Sequence, residues 1–261
     1  MSDVATNLII LLALAAFVAG FIDSIAGGGG LIAIPALLLA GFPPAETLGT
    51  NKLQGLFGTG SAALHYAARG QVDLKKQLPW TVLAFIASAA GALVATSIPG
   101  DALRLALPFV LIAIALYFAL KPNMDDVDRA ERMRPALFGA AVVPLVGFYD
   151  GVFGPGTGSF LMLAFVSLAG FGVLKATAHT KLINFATNLG GFAAFAAVGV
   201  VSWKVGLVMG AAQFLGARIG SGMAIRNGAK LIKPLLVLTC VALAVRLLID
   251  PLHPLRIMLG V

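Results

Sequence analysis

Phe21-Ile-Asp-Ser-Ile-Ala-Gly-Gly-Gly-Gly-Leu-Ile-Ala-Ile-Pro35 places four consecutive glycines, Gly27, Gly28, Gly29 and Gly30, inside a long apolar run. Glycine loses more backbone freedom on ordering than any other residue, so four in a row should unwind a helix. Unwound backbone at membrane depth is tolerated only inside protein or beside a water-filled cavity. The glycines therefore predict either a cavity or a close-packing seam between helices. Asp23 precedes the break. A short helix following it would aim its N-terminus at the gap, with free N–H donors and roughly half a positive charge, which suits an anion.

The rest of the chain supports a membrane setting. It has 261 residues, 59% hydrophobic and 11% charged, with a mean hydropathy of +0.98. Soluble domains carry about 25% charged residues. The expected class is an all-α polytopic membrane protein. The net charge of +7 does not point to nucleic acid, because basic residues gather in the cytoplasmic loops of such proteins. The single cysteine, Cys240, allows no intrachain disulfide and no thiol cluster for a metal. No lysine or arginine precedes the first apolar stretch, so residues ~5–22 read as a retained helix rather than a cleaved signal.

Apolar segments fall at roughly 5–22, 31–42, 46–68, 77–98, 102–120, 136–150, 158–170, 174–198, 204–225 and 231–249. The second and seventh are too short to cross a core of about 30 Å alone and read as arms of broken spans. The sequence also repeats itself. Phe21-Ile-Asp-Ser-Ile-Ala-Gly27 returns as Phe148-Tyr-Asp-Gly-Val-Phe-Gly154, Gly41-Phe42 as Gly170-Phe171, and Thr50-Asn-Lys-Leu53 as His179-Thr-Lys-Leu182. Gly91-Ala92 returns as Gly216-Ala217, and Pro108 as Pro234. The expected organisation is two transmembrane repeats, 1–120 and 135–261, each of four long segments and one short broken one. A polar loop, 121–134, joins them. Two such copies form a common transporter construction, with the site where they meet.

The distribution of basic residues gives an orientation. Ten alternating segments place Arg69, Lys75, Lys76, Lys121, Arg129, Arg132, Arg134, Lys175, Arg226, Lys230 and Lys233 on one side, against Arg104, Lys204 and Arg256 on the other. Treating each glycine break as a hairpin returning to its own side moves Lys175, Arg226, Lys230 and Lys233 across and weakens the bias. The positive-inside rule prefers the first arrangement. Five crossings per copy then make the repeats inverted, with both termini outside.

Charged groups inside membrane segments are functional candidates. Lys52 and Lys181 hold matched repeat positions. Asn184 and Asn188 follow Lys181 on one helix face, and Asn51, Gln54, Gly55 and Thr59 make a similar small polar wedge around Lys52. A lysine is a compact cation with three donors, suited to a small oxyanion; the alternative is a side chain snorkelling to the headgroups. Asp23 and Asp150 are also matched. They could pair with the lysines, cap the following helices, bind a cation or carry protons. Gly154, Gly156, Thr157 and Gly158, with Ser159, form the second break. Thr180 adjoins Lys181, and His179 is a further candidate for proton coupling. Arg218 lies inside a segment, and His65 and Tyr66 read as an interfacial belt. Metalloprotease, serine-hydrolase and P-loop motifs are absent, so no enzyme and no cofactor is expected.

The motifs Phe21-Ile-Asp-Ser-Ile-Ala-Gly-Gly-Gly-Gly-Leu31, Thr50-Asn-Lys-Leu-Gln54, Gly147-Phe-Tyr-Asp-Gly151 with Phe153-Gly-Pro155, and Ala176-Thr-Ala-His-Thr-Lys181 resemble the TauE/SafE (TSUP) family of sulfite exporters and sulfonate-related permeases. The resemblance implies a multi-pass carrier of the bacterial inner membrane that exports small sulfur-containing anions. It carries no catalytic residues over to this chain. The partners expected are the anion and the lipid bilayer, with self-association into a homo-oligomer left open. The rival expectations are an anion channel or facilitator and a cation carrier using Asp23 and Asp150.

Overall fold

A computed structural model describes residues 6–98 and 126–228, together with 230, 231 and 238. The expected segments 102–120 and 231–249, the Pro108–Pro234 match, Cys240 and residues 121–125 of the linking loop lie largely or wholly outside the described residues. What is described is all helical: α1 Thr6–Ala26, α2 Gly30–Leu39, α3 Pro44–Ala68, α4 Leu74–Ser97, α5 Pro135–Val152, α6 Thr157–Ser167, α7 Val173–Ala197 and α8 Trp203–Asn227. α5 carries a π-helical turn at Phe138–Val142. The order long, short, long, long occurs twice.

The glycines end α1 as expected. Gly27 and Gly28 take φ of 79° and 97°, a left-handed conformation that only glycine adopts cheaply. Gly154 and Gly156 do the same between α5 and α6, at 88° and 79°. Each break reverses the chain. Leu37 and Phe42, at the end of α2, join Leu12 and Ala16 of α1 and Val205 of α8 in one apolar cluster. At the other end of the molecule, Phe165 of α6 packs 4.8 Å from Phe138 of α5, ring centre to ring centre. Both breaks are thus two-armed hairpins. Two arms return the chain to its starting side just as two crossings would. Lys175 and Arg226 therefore stay with Arg69, and the hairpin does not weaken the charge bias. Contacts agree with this grouping. Lys175 pairs with Asp128 at 2.6 Å, Arg129 N donates to Gly170 O at 2.7 Å, and Arg69 and Arg226 line one groove.

Among the described residues α1, α4 and α5 are long and apolar enough to cross a membrane, while α2 and α6 are shorter apolar helices. α3, α7 and α8 are as long but bury polar side chains inward: Thr50, Lys52, Gln54 and Thr59 on α3, Lys181, Asn184 and Asn188 on α7, and Gln213 on α8. α1 packs along α8 and α4 along α5; α3 lies against α8, α4 against α7, and α3 runs against α7 in the opposite direction, from Gly49 on Phe195 to Gly60 on Phe185. Backbones touch at these seams, because small residues let helices approach. A Cβ at Gly91 would strike Phe148 O, and one at Gly220 would strike Phe21 O. Gly20 meets Gln213 O as Gly147 meets Ala84 O. Gly91 thus touches the backbone of α5 at Phe148 as Gly220 touches that of α1 at Phe21, one helical turn beyond Gly216, which meets Phe17 O. His65 and Tyr66 do not form an interfacial belt. Tyr66 is fully buried and donates to Ser24 O at 2.8 Å, and His65 Nδ1 bonds Ser221 Oγ at 2.8 Å.

Candidate functional site

The two breaks meet at the centre. Ser159 Oγ donates to Ala26 O at 2.9 Å, and a Cβ on Gly158 would sit 3.1 Å from Gly27 Cα. Beside this junction lies a polar hollow of ≈ 30 Å³, above the roughly 10–15 Å³ that one water needs. Gly28, Gly29 and Gly30 line it from the first break, and Gly154, Gly156, Thr157 and Gly158 from the second. Asn51 of α3 and Asn188 of α7 line it, with Asn184, Asp23 and Asp150. Residues from both halves of the chain thus surround one space. The first turns of α2 and α6 begin at its wall, where Leu31 N donates to Gly28 O at 2.9 Å, Ile32 N to Gly29 O at 3.0 Å and Thr157 N to Gly154 O at 3.3 Å, so the breaks satisfy most of the leading donors themselves.

Both lysines stand directly behind that wall. Lys52 is 1% and Lys181 0% exposed, so neither snorkels. Nor is either charge free. Lys181 Nζ donates to Asp23 Oδ2 at 3.1 Å, and Lys52 Nζ lies 2.6 Å from Asp150 Oδ2, an ion pair without hydrogen-bond angles. Each lysine pairs with the aspartate of the other half. Burying an ion costs several kcal/mol unless a partner and further hydrogen bonds offset it, which explains why the groups occur as couples. Asp23 has a second duty: its Oδ1 accepts from Gly29 N at 3.0 Å, holding the open glycine loop. A Cβ on Gly154 would come 3.3 Å from Lys52 Nζ, and one on Gly158 3.3 Å from Lys181 Nζ. The glycines keep the ammonium groups within reach of the hollow.

Other residues expected at the site stand behind it or elsewhere. Gly27 packs against Ser159 N and Gly158. Gln54 orients Asn51, donating to its Oδ1 at 3.0 Å. Thr180 is buried with no partner for its hydroxyl and does not line the hollow. His179 is far from both breaks. It sits between Phe165 and Phe171, 5.8 and 4.9 Å from their ring centres, because two residues along α7 put it about 200° round the helix from Lys181. The expectation that His179 acts beside the glycine breaks is therefore corrected. Gln213 was not among the expected site residues and does line the hollow, with Thr59 and Gly55. Its signal was a lone amide in an otherwise apolar segment, overshadowed there by the charge of Arg218. No group of His, Cys, Asp or Glu suited to a metal occurs among the described residues.

Known proteins place this architecture. The family model for sulfite exporter TauE/SafE matches residues 12–247. A Sinorhizobium protein named "Probable membrane transporter protein ORF9" is 65% identical over the whole of both chains. "Probable membrane transporter protein YfcA" of Escherichia coli K12 is 47% identical over 90% of this chain and 87% of its own. A "Probable membrane transporter protein" of Haemophilus influenzae is 46% identical over 95% and 97%. No solved structure matches. With apolar spans, buried charge couples and these relatives together, the chain belongs to the TauE/SafE family of membrane transporters.

Proposed function

We propose that this chain is a secondary transporter that moves small sulfur oxyanions, of the sulfite or organosulfonate class, out across the bacterial inner membrane. We read it as two inverted copies, 1–120 and 135–261, joined by 121–134, with the anion held where the copies meet. The observation that carries this reading is the single hollow bounded by both glycine breaks and backed by the Lys52–Asp150 and Lys181–Asp23 couples. An anion in the hollow takes hydrogen bonds from Asn51 and Asn188 and sits in the positive field at the first turns of α2 and α6. It competes with the two carboxylates for the ammonium groups. Asp23 and Asp150, which line the hollow and hold the two lysines, are the groups we assign to coupling of anion and proton movement. His179, remote from the hollow, takes no part in this linkage. Alternating access follows as one copy rocks against the other about the shared site.

The test is ligand-dependent stability of the purified protein against sulfite, sulfate, thiosulfate, sulfoacetate, taurine and simple carboxylates. A bound ligand raises the melting temperature by mass action. Sulfite or a sulfonate should do so in wild type and not in Asn51→Ala/Asn188→Ala. A divalent metal that stabilises wild type and Lys52→Ala equally, but not Asp23→Asn, would replace this reading with a cation carrier.

A further inference from the structure

Away from the central hollow, a groove of ≈ 280 Å³ opens between the C-terminal ends of α3 and α8. It is lined by His65, Arg69, Arg218, Ile219, Met223 and Arg226, with Gly222 at its floor. Three arginines line it and, among the described residues, no carboxylate does. Arg69 and Arg218 flank His65, whose ring is fixed by Ser221. Among the described residues none of the three arginines has an acidic partner. Arg218 lies two turns inside α8, where a guanidinium beside hydrocarbon needs a counter-charge.

The groove is also open to lipid. Ile219 is 52% and Met223 38% exposed, and the apolar strip continues along α8 through Phe214 and Leu215. This is the end of the molecule that gathers Arg129, Lys175 and Arg226, the side where anionic headgroups and basic pockets between helices meet. A free inorganic anion would need the arginines alone. A phospholipid uses both features, its phosphate between the guanidinium groups and an acyl chain along Ile219 and Leu215. We propose that this groove is a binding seat for one anionic phospholipid, separate from the transport site.

Titration of the detergent-purified protein with short-chain phosphatidylglycerol, short-chain phosphatidylcholine and inorganic phosphate tests it, read as melting temperature and as lipid retained in native mass spectrometry. Phosphatidylglycerol should give a saturable rise and one retained molecule per protomer; the other two should give neither. Arg218→Gln and Arg69→Gln should each weaken the apparent affinity about five-fold while leaving the lipid-free melting temperature unchanged. Gly222→Leu fills the groove without altering charge. Among the described residues its Cβ meets only His65 Cε1, at 3.4 Å, so the variant should fold and lose retention. Equal shifts from phosphatidylcholine, an equal shift from phosphate alone, or undiminished retention in both Arg218→Gln and Gly222→Leu would each overturn the proposal.

Discussion

At the scale of single residues, Asp23, Lys52, Asp150 and Lys181 carry the account. Each is almost fully buried and each is matched by a group of opposite charge from the other half. Removing one partner of a buried couple leaves an uncompensated charge, at a cost of about 3–5 kcal/mol, whereas replacing both with apolar or neutral groups is often nearly neutral. Lys181→Met alone should therefore lower the melting temperature sharply, and Lys181→Met/Asp23→Asn should recover most of the loss. A double variant as unstable as the single one would show that Asp23 matters mainly through Gly29. The glycines separate in the same way. Ala at Gly27 meets a left-handed φ, costing about 1–2 kcal/mol in the backbone, and a clash with Ser159 N. Ala at Gly30 meets Asn51 Nδ2 and Pro155 Cα at 3.5 Å, ordinary contacts, yet fills the hollow. Gly30→Ala should melt like wild type and lose ligand-induced stabilisation; Gly27→Ala should be unstable from the start. The sequence made these four charges visible, because an ionisable group in an apolar run is conspicuous. It left open whether they pair, since nothing local relates Lys181 to Asp23 across 158 positions. His179 was equally conspicuous and belongs elsewhere, since helix phase, not chemical type, decides what faces the hollow.

At the scale of elements, the breaks work because the hairpins are held at their ends. The second hairpin is tied to the basic end by the segment before α5. Asp128 accepts from Gly172 N at 2.7 Å and pairs with Lys175 at 2.6 Å, holding the N-terminus of α7. The Gly172 N–H, followed by Lys175, keeps the Asp128 carboxyl below its ordinary value. A folded pKa below the unfolded one means that this contribution is present above about pH 4 and is lost as pH falls through the lower folded value. The melting-temperature gap between wild type and Asp128→Asn should thus be constant near pH 7 and close below about pH 4. A gap unchanged at pH 3 would remove the ionic part of this tie. Helix boundaries were legible here. Pro43-Pro44 opens α3 with proline at its first position, and the glycine clusters stop α1 and α5. The sequence could not say that the short arms double back, because a ten-residue apolar helix reads alike in either direction.

At the scale of the whole molecule, the seams of α1 on α8 and of α5 on α4 interlock the two halves of the chain, so neither half encloses the hollow alone. The matched motifs Asp-Ser-Ile-Ala-Gly and Asp-Gly-Val-Phe-Gly, and the two lysines, were legible as a pair of breaks, and both breaks line one hollow. The glycine of α8 that takes the place of Gly91 at the seam was not legible. α8 offers Gly206, Gly210, Gly216 and Gly220, all able to match Gly91 by type, and only the contact with Phe21 O selects Gly220. The positive end was legible from loop charge, and it is also the end that carries the arginine groove. The central claim is that a small oxyanion passes through the shared hollow by exchanging places with carboxylates on buried lysines. It is tested most directly by sulfite flux in proteoliposomes containing wild type or the folded Lys181→Met/Asp23→Asn variant, with internal pH recorded in parallel. Wild type should move sulfite together with a pH change, and the variant should move neither. Equal sulfite flux through the variant that lacks the Lys181–Asp23 couple would contradict the account.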